Sequence, residues 1–166
     1  MTEPLPTLDE FHCFACAPGH PKGLRLRFRE SGPDGVACEV TLGADYQGID
    51  GIVHGGIVAT MLDEAMAWCL YRHRRRVYVT ATMRQRYREP VPVDTPLTVE
   101  ARIEPGGSIR RVRLDARIRT GDGRALADGS GLFVTAPGSV LDAMTSAQRA
   151  ALEGMFEAFA ARDHTG

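Results

Sequence analysis

Lysine is nearly missing from this chain: Lys22 stands alone among 20 basic residues, and the other nineteen are arginines. That skew reads first as genome composition and only second as chemistry. Surplus charge is missing too, since the net charge is −1, so no global field recruits nucleic acid. No apolar run approaches the ~20 residues that a bilayer-spanning helix needs. Residues 1 to 9 hold no basic cluster followed by an apolar stretch, so no secretory leader is expected there. Four cysteines, with Cys38 and Cys69 isolated, do not make a secreted disulfide framework. These absences predict a cytoplasmic protein with no membrane or nucleic-acid partner. What the chain does have is 43% hydrophobic and 25% charged residues over 166 positions, enough for one domain with a real core.

Periodicity organises the rest. Leu24, Leu26 and Phe28 alternate with Arg25, Arg27 and Arg29, the pattern of a half-buried strand. A Gly/Pro/Asp turn over 31–35 leads to a second strand over 36–42. A glycine-bearing loop, 43–53, delivers the chain to a mostly apolar run that predicts a buried central helix ending near Arg72. Four strand-like segments follow, 77–87, 95–103, 109–119 and 125–133, joined by credible turns. Thr145-Ser146-Ala147-Gln148 is a capping-box pattern that opens an amphipathic C-terminal helix. The order predicts an α+β fold in which one curved antiparallel sheet wraps a long helix. The expected divisions are an irregular segment over 1–22 with a helical turn near 8–14, a main domain over 23–136, and a helix with a tail over 137–166.

The most informative stretch is His54-Gly55-Gly56-Ile57-Val58-Ala59-Thr60-Met61-Leu62-Asp63-Glu64. A helix start has free N–H groups and the positive end of the macrodipole, suited to polarising a carbonyl oxygen. Two turns later, Asp63 and Glu64 sit among Met61, Leu62, Ala65 and Met66, where a carboxylate is costly without a task or a partner. The two acids lie about 100° apart around the helix, so they cannot face the same atom. Gly55 and Asp63 are about 12 Å apart along a helix axis. An oxyanion donor and a base must both reach one carbonyl region at about 3 Å. One helix cannot supply both, so Gly55 of one copy would work with Asp63 of another, in a homodimer or homotetramer.

The HGG motif with an acid nine residues after the His, the strand over 80–90 and the hairpin opening at Asp122-Gly123-Arg124 resemble the hotdog-fold acyl-CoA thioesterases. The likeness is to the phenylacetate-pathway type and its mammalian relatives, and covers roughly residues 23–135. It implies an acyl-CoA substrate cleaved to acid and free thiol without cofactor or metal. Asp63 would be the general base or the nucleophile, and the Gly55 N–H would bind the thioester oxygen, with Gly56 leaving room for close approach. Thr80 stands where relatives carry a hydroxyl that holds the water. Where some relatives place an Asn, six residues before the His, this chain has Gly48, and Gln47 is the neighbouring amide. His54 is expected to orient the glycine turn, and Glu64 to partner an arginine. The same chemistry on acyl carrier protein, or acyl-thioester binding without catalysis, are the alternatives.

Two clusters remain. His12, Cys13, Cys16 and His20 have part of a zinc pattern, but adjacent His12 and Cys13 rarely reach one ion and no second C-x₂-C exists, so paired or buried thiols are expected instead. The run Cys13-Phe14-Ala15-Cys16 through Lys22-Gly23-Leu24 also resembles the N-terminal segment of a bacterial branch of the family. Arg72, Arg74, Arg75 and Arg76 are expected as solvated charge at a helix end, with a site for the phosphates of coenzyme A as the functional alternative. Arg84, Arg86 and Arg88 share one strand face, and Arg84 and Arg86 are candidates for holding the phosphates of coenzyme A.

Overall fold

A computed structural model describes residues 3–163, so the last three residues of the expected tail lie outside it. The alternating segments become β1 (Phe28–Glu30), β2 (Gly35–Val40), β6 (Leu97–Ile103), β7 (Arg111–Thr120) and β8 (Ala125–Thr135), with β5 (Tyr78–Tyr87) between the central helix and β6. The loop before the helix carries a short hairpin, β3 (Gln47–Ile49) and β4 (Ile52–Val53). The six long-sheet strands run antiparallel in the order β1-β2-β6-β7-β8-β5. In β7 every second residue from Val112 to Thr120 is buried while arginines occupy most positions between, as a sheet with one covered face requires.

That face is covered by α1 (Gly55–Arg74). Val58, Met61, Leu62, Ala65, Met66 and Cys69 are completely or almost completely buried on it. The helix sits close because β8 is glycine-bearing where they meet. A Cβ on Gly129 would lie 3.3 Å from Leu62 Cδ1, and one on Gly131 would lie 2.7 Å from Phe133 Cε2 and 3.1 Å from Met66 Sδ. Burying Phe133, Leu114, Ile118 and Leu126 against this helix stabilises the layer by about 1.5–3 kcal/mol per side chain.

The first strand is shorter than the alternation predicts. Leu24 and Leu26 are buried, but their N–H groups donate to Phe14 O and Ala15 O at 2.9 Å each. Arg25 between them has φ +54°, so the stretch runs along the N-terminal segment and enters the sheet only at Phe28. The segment itself makes turns rather than a helix near 8–14. It buries Leu5, Leu8, Ala15, Cys16 and Ala17 in the common core, and Pro4 bridges Arg29 on the edge of β1.

The C-terminal part forms α2 (Gly138–Asp142) and α3 (Ser146–Asp163). The capping box forms as read: Gln148 N donates to Thr145 Oγ1 and Thr145 N to Gln148 Oε1. Leu152, Met155 and Phe159 of α3 are buried. Here the structure corrects an expectation. Arg72 is not solvated with its neighbours; it is 7% exposed, donates to Glu30 at 2.7 Å and Asp163 at 2.6 Å, and lies over the Phe159 ring. It faces inward because α3 closes over the end of α1, a contact no local pattern encodes.

Candidate active site

The start of α1 is built by His54, which caps it. Its Nδ1 accepts from Gly56 N at 2.9 Å, so the neutral imidazole carries its proton on Nε2. The expected orienting role is thus a helix cap made by an imidazole. The Gly55 N–H finds no acceptor among the described residues. Its carbonyl lies 2.9 Å from the Tyr87 hydroxyl, which is also 2.8 Å from Gln85 Oε1. Tyr87 was a strand residue in the sequence; in the fold it pins the first turn of the helix. Its exposure, 52%, is the only local hint of a task.

At Gly48 a side chain would press tightly on His54. A Cβ there would be 3.0 Å from His54 Cδ2 and 3.2 Å from His54 Cα. Gln47 accepts from Gly51 N at 3.1 Å, which engages its carbonyl oxygen in its own turn. Gln47 lines a cavity of about 670 Å³ together with Phe14, Lys22, Tyr46, His54 and Ile57 among others. The single lysine and the phenylalanine between the two cysteines therefore face the same space as the helix cap.

Asp63 is half-buried on the stripe of α1 that also carries Gly56, Thr60 and Ala67. Thr80 Oγ1 donates to Asp63 Oδ1 at 2.7 Å. A bulge makes this possible. Register runs Thr80↔Phe133, then Thr82↔Leu132, so Ala81 is the extra residue. Without it, Thr80 would share the face of Arg84 and Arg86; with it, Thr80 turns toward the helix.

Arg84 and Arg86 stand on the outer face, opposite Ser130 and Asp128, and Arg88, just past β5, donates its N–H to Leu126 O near the start of β8. Arg88 is paired with Asp128, which Arg117 also holds. The fold thus gathers His54, Gly55, Gly56 and Gln47 at one end of α1 and Asp63 with Thr80 farther along. It leaves Arg84 and Arg86 on the other side of the sheet.

Glu64 departs from expectation. No arginine among the described residues pairs with it; it accepts from Trp68 Nε1 at 3.0 Å, and Cys13 Sγ lies 3.7 Å from both of its oxygens. The residue keeps some exposure, but its carboxyl group sits under the N-terminal segment, and burial pushes it up to about 7. The hydrogen bond shared by Cys13 and Cys16 holds the Cys13 thiol down and pushes Cys16 up. Cys38 and Cys69 are buried free thiols, each pushed up to about 12 by that burial.

Residues 50–127 match the family model of the Thioesterase superfamily. The acyl-coenzyme A thioesterase THEM4 of Bos taurus is 26% identical over 108 residues, 64% of this chain and 44% of that protein. The chain thus spans less than half the length of that curated relative. A crystal structure of a thioesterase superfamily protein aligns with TM-score 0.69 and 29% identity, over 74% of this chain and 60% of the other. PaaI of E. coli, from the phenylacetic acid degradation operon, aligns with TM-score 0.63 and 17% identity, over 70% and 83%. The resemblance read from His54-Gly55-Gly56 and Asp63 is borne out by the family match, and the predicted hotdog architecture by the structural ones.

Proposed function

We propose that this chain, a hotdog-fold protein whose residues 50–127 match the thioesterase superfamily, hydrolyses acyl-CoA thioesters. The carrying observation is the Asp63 carboxylate, held at one oxygen by Thr80 on a partly exposed face of α1. Because Thr80 donates to Oδ1, Oδ2 and the hydroxyl's lone pairs remain to hold a water. Asp63 would take a proton from that water as its oxygen attacks the thioester carbonyl. Alternatively Oδ2 attacks directly, and water then opens the mixed anhydride. Either way the C–S bond breaks, the thiolate leaves and takes a proton, and a carboxylic acid is released. The Gly55 N–H at the helix start would bind the oxygen as negative charge develops.

Gly55 and Asp63 of one helix are too far apart for one carbonyl, so the reading needs two copies. β5 supports that: it is a ten-residue edge strand paired only with β8, with most of its residues exposed. Such an edge is a template for pairing with another chain, and it borders the Asp63 stripe of α1. Pairing β5 with its symmetry mate would bring two helices side by side and build two sites. For the phosphates of coenzyme A, Arg84 and Arg86 are among the sequence candidates. Lys22 competes with them because it lines the cavity beside His54.

The testing experiment is thiol release from a panel of acyl-CoAs by the wild-type chain and Asp63→Asn, with mass determined in solution by light scattering. Turnover that collapses in the variant, from a dimer or larger, supports the reading. Absence of release from every acyl-CoA would favour acyl carrier protein substrates or binding alone, since a fold by itself does not establish an activity.

A further inference from the structure

We propose that Cys13, Cys16 and Glu64 bind a zinc ion that ties the N-terminal segment to the central helix. One sulfur from each cysteine and one carboxylate oxygen all lie within 4.8 Å of one another. The Cys13 Sγ to Glu64 oxygen distance is 3.7 Å. Ligands at ordinary Zn–S and Zn–O lengths around a tetrahedral ion are separated by about 3.5–3.8 Å, so the donors need little movement to close on one ion.

Two further observations point the same way. The Cys13-Phe14-Ala15-Cys16 spacing is the C-x₂-C of zinc knuckles. In addition, Glu64 has no cationic partner among the described residues; its donors are a neutral indole and thiols. A carboxylate removed from water in a protein interior is ordinarily paired or bound to a metal. Two thiolates and a carboxylate around a divalent cation supply that missing positive charge.

The third ligand is invisible in the sequence because it comes from a distant element. His12 and His20 looked like the partners, yet His12 is exposed and His20 Nδ1 accepts from Lys22 N while its ring meets Phe14 edge-on. Glu64 reaches the pair from 48 residues beyond Cys16 only because the segment folds across α1. Three protein ligands leave one position for water, on the side where Cys13 keeps partial exposure. The ion would be held one residue along the chain from Asp63 and, at Cys13, one residue from Phe14, which lines the cavity. None of this depends on the thioesterase reading.

The test is elemental analysis of the full chain, purified without chelators and with any affinity tag removed, together with cobalt substitution. The expected result is stoichiometric zinc and, with Co²⁺, a thiolate-to-metal charge-transfer band and tetrahedral d–d bands. Both should vanish in Cys13→Ser/Cys16→Ser. In Glu64→Gln zinc should leave to a competing chelator at least tenfold faster, with circular dichroism confirming that each variant is folded. A folded wild type that takes up neither ion, with both thiols freely titratable or joined as a disulfide, would overturn the proposal. So would Glu64→Gln retaining zinc as firmly as wild type.

Discussion

Thr80 meets Asp63 at 2.7 Å across a β-bulge that places one extra residue, Ala81, in the edge strand. The bond joins the sheet to the helix and leaves one carboxylate oxygen free. If Asp63 is the base, replacing it with the near-isosteric Asn should lower kcat by about 10²–10⁴-fold. Thr80→Val, which loses only the positioning hydroxyl, should lower it about tenfold, and Thr80→Ser should restore most of that. Steady-state thiol release distinguishes the three.

Tyr87 and His54 secure the first turn of α1 from outside and within. Tyr87→Phe removes the hydroxyl at the Gly55 carbonyl and should cost about 1 kcal/mol of stability, measured by urea unfolding. Because that bond restrains Gly55, whose N–H is the proposed oxyanion donor, turnover should fall with it. A loss of stability with unchanged kcat would separate the anchor from the chemistry.

Restoring at position 48 the Asn that some relatives carry should harm this protein. A Cβ there meets the His54 ring at 3.0 Å and its backbone at 3.2 Å, so Gly48→Asn presses on the residue that caps α1 and should shift it by a few tenths of an ångström. A cost of about 0.5–2 kcal/mol is expected, the size of a lost helix cap. Thermal melts of the single variant test this; equal or greater stability would mean that the loop yields instead.

Gly131 is a packing position. Alanine there would place its Cβ 2.7 Å from Phe133 and 3.1 Å from Met66, and overpacking of this kind costs about 1–3 kcal/mol. Pairing Gly131→Ala with Met66→Ala should recover part of the loss, because the smaller side chain gives back the space. Urea titration of the two single variants and the double variant measures that coupling.

Acid should loosen the seat of α3. Asp163 is held below the ordinary carboxylate range, first by the hydrogen bond from Arg72. A depressed carboxylate contributes stability that is complete above its unfolded pKa, about 3.9, and is lost as pH falls through the lower folded value. Its side chain is 39% exposed, so the contribution is modest. Asp163→Asn should therefore melt below wild type at neutral pH, and the two curves should converge as pH falls below about 4.

The central helix, the late strands, the capping box and the glycine motif were legible because each is a local pattern. Hydrophobic period, turn chemistry and cap residues act over a few neighbouring positions, and they predict β5 to within one residue. Asp63 stood out for the same reason, as an acid at a set offset within one helix. The first strand was misread because its alternation is real but satisfied elsewhere: Leu24 and Leu26 bond to the N-terminal segment and not to the sheet.

What the chain's own order determined, then, is which stretches become helix or strand and which acid lies two turns beyond a glycine pair. Only the tertiary structure decided that a bulge turns Thr80 toward Asp63, that Tyr87 pins Gly55, that Arg72 is buried under α3, and that Glu64 faces two thiols instead of an arginine. Each of these contacts joins positions that are 17 to 91 residues apart. Which side chains meet over such spans depends on sheet register and on how layers close, and no short window of sequence contains either.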